Sequence, residues 1–133
     1  MKYLQDYIQD EQSALFKELG VFFAFSREQF DTGAAANQDK KPEGTRWCDM
    51  GIGMFMPSVN VEEFKRRHTQ IVSNGIARDL KENGRHSVIV RELRNYECFY
   101  TGEIDDALGA LKDYGISAEE VRKVFRAPRK VAA

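Results

Sequence analysis

The spacing of apolar residues changes abruptly at one glycine near the start of the chain. Leu4, Ile8, Leu15 and Leu19 recur at close to helical spacing, with Asp6, Gln9, Asp10 and Lys17 on the other side, which predicts an amphipathic helix over about 3–19. Gly20 stands where helices commonly end in a left-handed residue. Val21-Phe22-Phe23-Ala24-Phe25 follows, wholly apolar and too short to continue as a buried helix, and reads as a strand. Ser26 and Gln29 then have the spacing of a capping box, opening a second short helix that Gly33 is expected to end. Helix, strand and helix in such quick succession predict an α+β domain.

A second period appears further on. Cys48, Met50, Ile52, Met54 and Met56 alternate with Trp47, Asp49, Gly51, Gly53 and Phe55, as in a strand with one apolar face, and Pro57 closes it. That apolar face is expected to be core and to pack on the N-terminal helix. Residues 34–45, AAANQDKKPEGT, have neither period and read as a mobile surface loop. Asn60, three residues before Glu63, caps a helix whose apolar side carries Val61, Phe64, His68, Ile71 and Val72. Asn74-Gly75 should break or bend it, and Ile76, Ala77 and Leu80 form a further turn that Asn83-Gly84 closes.

His86 to Arg91 is β-branched at its centre and reads as a third strand. Leu93, Tyr96 and Tyr100 return to helical spacing. Thr101 is placed to cap a helix bearing Ile104, Ala107, Leu108 and Leu111 that Tyr114-Gly115 ends, and Ser117 with Glu120 caps a last helix bearing Val121, Val124 and Phe125. Pro128 stops that helix, and a frayed basic tail over 128–133 is expected. The whole reads as a single α+β domain spanning 1–133, with a small sheet of about three strands packed against several helices.

With 133 residues, 42% of them hydrophobic and 31% charged, the chain has enough apolar material for one core, which disfavours disorder and low-complexity classes. Lys and Arg total 20 against 21 for Asp and Glu, a net charge of −1, so no global field points to nucleic acid or anionic lipid. Cys48 and Cys98 are too few and too far apart for a disulfide framework or a zinc site, and read as reduced thiols. No stretch approaches a membrane span and the N-terminal residues are polar, so a cytoplasmic protein without a membrane segment is expected.

Candidate chemistry is sparse. His68 lies on the apolar side of its helix beside Lys65, Arg66 and Arg67 without a second histidine at ligand spacing, and His86 is equally isolated. Gly51-Ile52-Gly53 lacks the remaining glycine or lysine of a phosphate loop. On a strand face, the two glycines would clear space for a ring, a backbone or a ligand, in a groove whose floor and rim are Trp47, Asp49 and Phe55. The densest stretch is Arg91 to Thr101, where Arg91, Arg94, Asn95, Tyr96, Glu97 and Tyr100 combine the polar and aromatic groups used by recognition surfaces. The same stretch can equally be a structural Arg–Glu network, with Arg94 and Glu97 paired at three-residue spacing. Cys98 is a poor nucleophile beside Glu97, which would raise its pKa. No catalytic residue, metal ligand set or cofactor is assigned.

For nucleic acid, the basic segments are Lys65 to Arg67 and the run Arg122, Lys123, Arg126, Arg129 and Lys130. No recognition motif accompanies them, and Glu103, Asp105 and Asp106 offset the second, so nucleic acid is disfavoured as a partner. The blocks Gly20-Val21-Phe22-Phe23-Ala24-Phe25-Ser26-Arg27-Glu28-Gln29-Phe30 and Arg91 to Gly102, with Met50-Gly51-Ile52-Gly53, resemble a family of small uncharacterised proteins of bacteria, their phages and mobile elements. The resemblance implies a prokaryotic or phage origin and carries over no catalytic residue. The expected function is a small non-enzymatic accessory protein that binds an unidentified protein partner, with a homodimer left open. The alternative is a small enzyme or metabolite-binding domain that uses the Gly51/Gly53 face and the Arg91–Thr101 block.

Overall fold

The computed structural model describes residues 1–127. Among these the chain forms seven α-helices and one three-stranded antiparallel sheet, an α+β fold as the changes of period predict. It divides into two compact units, Met1–Gly75 and the remainder from Ile76.

The first unit contains α1 (Leu4–Leu19), β1 (Phe22–Phe23), α2 (Arg27–Ala36), β2 (Trp47–Asp49), β3 (Met54–Pro57) and most of α3 (Val61–Asn83). Gly20 ends α1 as a left-handed cap at φ 74°, and its N–H donates to the Phe16 carbonyl. The strand expected over Val21–Phe25 is only two residues long, and its β1 pairing runs Phe22 to Phe55 and Phe23 to Met54. Ser26 caps α2 through its hydroxyl, which accepts the Gln29 N–H at 3.1 Å. The Gln29 side chain accepts instead from the Phe25 N–H at 2.7 Å, so chain entry and first turn are both fixed.

Gly33 does not end α2, which continues to Ala36 and is followed by a 3-10 turn over Gln38–Lys40. A Cβ on Gly33 would lie 2.2 Å from the Phe22 ring. The glycine is there for close approach of helix to strand. The loop expected over 34–45 is correspondingly shorter, with irregular backbone from Lys41 onward.

The single strand expected across Cys48–Met56 is a hairpin. β2 and β3 pair antiparallel, Trp47 with Pro57, Cys48 with Met56 and Asp49 with Phe55, and the sheet order is β1-β3-β2. Residues 51–53 form the turn, closed by Met50 N–H to Met54 carbonyl at 2.8 Å and Met54 N–H to Gly51 carbonyl at 3.0 Å. Because the loop holds an odd number of residues, side chains resume the same faces after it, and the sequence alternation passes through the turn unbroken. The expected faces therefore hold for Met50, Met54 and Met56, which join Leu15, Leu19, Val21 and Phe64 in one core. They fail for Ile52, which stands at the hairpin tip and is solvent-exposed.

Opposite the methionine face, Phe22, Phe30, Trp47 and Phe55 form an aromatic layer between sheet and α2, with centroids 5.0–5.7 Å apart. Such pairs add to area burial. Asn60 does not cap α3; its amide donates to the Leu19 carbonyl at 2.9 Å and fastens the start of α3 to the end of α1. Helix α3 is not interrupted at Asn74-Gly75. Gly75 takes the Ile8 side chain of α1, 2.3 Å from where its Cβ would stand.

The second unit contains the last turns of α3, then α4 (Arg85–Asn95), α5 (Cys98–Thr101), α6 (Asp105–Lys112) and α7 (Ala118–Arg126). The third strand expected over His86–Arg91 is the first part of α4. Val88, Ile89, Glu92 and Leu93 are buried, two adjacent pairs four residues apart, which is a helical stripe. β-branching is a weak preference that packing overrides here. The helix expected through Tyr100 is interrupted, with Tyr96 at the end of α4 and Glu97 left-handed at φ 55°. Thr101 closes α5 rather than opening α6. Its hydroxyl accepts the Glu103 N–H at 3.2 Å. Helix α4 packs on α5, α6 and α7, around the buried side chains of Val88, Ile89, Leu93, Leu111 and Val121. Ser117 caps α7 as expected, accepting from the Glu120 N–H at 3.2 Å. Pro128 and the tail over 128–133 lie outside the described residues.

Candidate functional site

The hairpin turn places three successive residues at positive φ: Gly51 at 83°, Ile52 at 51° and Gly53 at 78°. Two glycines accept this backbone freely, whereas a β-branched residue there is an outlier. The Asp49 carboxylate accepts the Gly51 N–H at 2.8 Å and braces the turn from one side. From the other, the Phe25 ring lies over Gly53, where a Cβ would approach it to 2.4 Å. The Ala24 N–H donates to the Gly53 carbonyl at 2.8 Å. The result is a braced tip on which Ile52 is 86% and Phe25 77% exposed.

An open groove of about 670 Å³ runs beside this tip, lined by Phe25, Phe30, Asp49, Ile52 and Phe55 among others. Two of the three groove residues expected from sequence, Asp49 and Phe55, are in it. Trp47 shares their face of the sheet but is turned into the aromatic layer, edge-on to Phe22 at 5.2 Å. The glycines clear space for a ring, as expected, but from a turn and not from a strand face. Phe25 and Ile52 were missed as site residues, because an unbroken alternation assigns Ile52 to the core. The available signal was the pair of glycines flanking one residue, which marks a turn as readily as a bulge.

The Arg91–Thr101 block is split by burial. Arg91 is 5% exposed and forks onto Asp79, Nη1 to Oδ1 and Nη2 to Oδ2, each at 2.9 Å. Its Nε donates to Glu92 at 2.9 Å. The Tyr114 hydroxyl donates to Asp79 Oδ2 at 2.5 Å and the Asn83 amide to Oδ1 at 2.8 Å. Burial alone would raise the pKa of Asp79, but hydrogen bonds from Arg91, Tyr114 and Asn83 and the arginine charge outweigh it and hold the carboxylate below its usual range. Burial and the neighbouring carboxylate push the Tyr114 hydroxyl up. This is the structural reading of Arg91 weighed in the sequence. Asp79 has a signal of its own, since it falls with Ile76, Leu80 and Asn83 on one helical stripe.

The other block residues, Arg94, Asn95, Tyr96, Glu97 and Tyr100, are exposed, Tyr100 at 91%. Arg94 and Glu97 form no ion pair among the described residues; instead, the Glu97 N–H donates to the Arg94 carbonyl at 3.0 Å in the turn that ends α4. Cys98 is buried, and desolvation raises its thiol pKa, with Asp106 adding to the rise. Half-buried His68 lies against Phe64 at 5.2 Å with its Nε2 3.0 Å from the Gln12 amide. His86 is exposed in the first turn of α4. Among the described residues no three His, Cys, Asp or Glu side chains stand together as a metal site, and no helix is long and apolar enough to cross a membrane.

Fold and site define a small α+β protein with two exposed apolar side chains, Phe25 and Ile52, on a braced hairpin tip. By its sequence the chain belongs to a family of unknown function, DUF7659, which it matches over residues 4–130. No curated protein and no solved structure matches it.

Proposed function

We propose that this is a non-enzymatic binding protein that engages a protein partner through the hairpin tip, with Ile52 and Phe25 as apolar anchors beside the groove. One observation carries this reading. A large β-branched side chain is held out in solvent on a backbone conformation it disfavours, on a turn that Asp49 and Phe25 brace. Folding gains no burial from Ile52, and backbone strain of this kind concentrates at binding sites. A preorganised apolar anchor binds without a large ordering cost.

A metabolite in the groove is the less favoured alternative. Polar groups along it are already engaged, the Asp49 carboxylate by Gly51, Arg27 by Asp31 at 3.1 Å, and the Ser26 hydroxyl by Gln29. The polar N-terminal residues support a cytoplasmic setting, in keeping with Cys48 and Cys98 as free thiols. A bacterial or phage origin rests on the sequence blocks that resemble such proteins.

Tagged wild-type protein and an Ile52→Asp, Phe25→Ser variant, both shown to melt cooperatively, are used for capture from a prokaryotic lysate. A protein retained by wild-type and lost from the folded variant supports the proposal, while equal retention by both overturns it. A thermal-shift screen against nucleotides and metal ions separates the alternative, for which one strongly stabilising ligand is expected.

A further inference from the structure

Helix α7 carries a face on which three cations, Arg122, Lys123 and Arg126, outnumber the one carboxylate beside them, Glu119. Several basic side chains elsewhere on the helices meet carboxylates: Arg27 with Asp31, Arg66 with Glu63, Arg67 with Glu18, Arg85 with Glu120 and Arg91 with Asp79. Arg122, Lys123 and Arg126 of α7 are exposed and have no ion pair among the described residues. Of the two acids that precede them on α7, Glu120 is held by two Arg85 nitrogens at 3.0 and 2.6 Å, and Glu119 borders the same face, leaving an excess of two positive charges there. Asp105 and Asp106, expected to offset these charges, stand in the first turn of α6, where a helix favours carboxylates for its own sake. No acid occurs from Val121 through Ala133, and the sequence adds Arg129 and Lys130.

We infer that this face of α7 binds the phosphate backbone of nucleic acid without reading sequence. Arg122 and Arg126 lie one turn apart with Lys123 beside them, around a shallow depression they share with Glu119 and Ala127. The opposite side of the helix is consumed by folding, with Val121 buried and the Phe125 ring stacked on Phe99 at 5.6 Å. That decides among polyanions. A helix that binds a lipid surface inserts an apolar face, and a protein interface centres on apolar or aromatic anchors. This face has neither, and charge alone suffices for a phosphate backbone through counterion release. The site shares no residue with the hairpin tip, so either assignment can fail while the other stands.

The test uses the full chain and a labelled DNA duplex of about 20 base pairs, titrated across salt from about 50 mM upward. Binding is expected at low salt, with log K falling against log salt at a slope of about −3 from the three helix cations. Arg122→Gln, Lys123→Gln and Arg126→Gln should each reduce the slope by about 1 while leaving the urea midpoint unchanged. Absence of binding at low salt overturns the inference, as does an unchanged slope in the folded triple variant. Tighter binding to phosphatidylserine vesicles or to polyglutamate than to the duplex also overturns it.

Discussion

Arg91 and Asp79 meet in a two-pronged ion pair, both bonds 2.9 Å, with the aspartate fully buried. Every polar atom in the cluster is satisfied, since among the described residues no buried side-chain nitrogen or oxygen lacks a partner. A charge pair like this adds little over an apolar pair of the same shape, but removing one member strands the other in a low-dielectric site. Arg91→Ala should therefore cost about 3–5 kcal/mol. Arg94→Ala, three residues on and exposed, should cost less than about 0.5 kcal/mol. Urea melting of the two variants checks the contrast, and equal losses would refute it.

The same cluster sets the pH limits of stability. The Asp79 pKa is lowered in the fold, so its contribution is present above the unfolded carboxylate pKa and is lost as pH falls through the folded value. The Tyr114 pKa is raised, so the neutral hydroxyl contributes below the unfolded phenol pKa of about 10, and that contribution is lost as pH rises toward the folded value. Stability should decline on both the acid and the alkaline side. In Tyr114→Phe the alkaline decline should be smaller, as measured by urea midpoints across pH, and an identical alkaline limb would contradict the assignment.

Much of the fold was legible because local signals and packing agree. Gly20, Ser26 and Ser117 mark their helix ends where expected, and the methionine face is core. What was not legible has specific causes. An odd-numbered turn is invisible to a period of two, so the sequence around Gly51-Ile52-Gly53 reads as one strand. Val88, Ile89 and Val90 look like strand, but the decisive pattern includes Glu92 and Leu93. Gly33 and Gly75 act through close approach of Phe22 and Ile8, long-range neighbours that no local rule supplies. Of the groove beside the hairpin tip, Asp49 and Phe55 could be read from sequence; so could the polar and aromatic density of the Arg91–Thr101 block. The division of that block by burial, and the exposure of Phe25, required the fold.

Gly33 offers a test in which two effects oppose each other. In a helix interior Gly→Ala ordinarily gains about 1 kcal/mol from backbone entropy and propensity. Here the new methyl would meet three atoms of the Phe22 ring at 2.2–2.8 Å, and that ring is held by Trp47, Phe30 and Phe55. Overpacking of this kind costs about 1–3 kcal/mol, so Gly33→Ala should be destabilised. A higher melting temperature for the variant would show that the aromatic layer yields.

Ile52 and Met56 lie four residues apart in one alternation, yet the same substitution should have opposite consequences for them. Met56 is fully buried among Leu15, Leu19, Val21 and Phe64, where an unpaired carboxylate has neither water nor a partner, and Met56→Asp should abolish the cooperative transition. Ile52 is at the tip in solvent, so Ile52→Asp should stay folded, within about 0.5 kcal/mol of wild type. Ile52→Gly removes the Cβ contact that makes a left-handed backbone unfavourable, by about 1–2 kcal/mol, against the larger entropy of glycine in the unfolded chain, about 0.5–1 kcal/mol. The difference favours the variant, which should melt slightly later than wild type while losing the partner contact assigned to the isoleucine. Thermal melts of all three proteins check the set. An Ile52→Asp protein that fails to fold would return the residue to the core and remove the anchor on which partner binding rests.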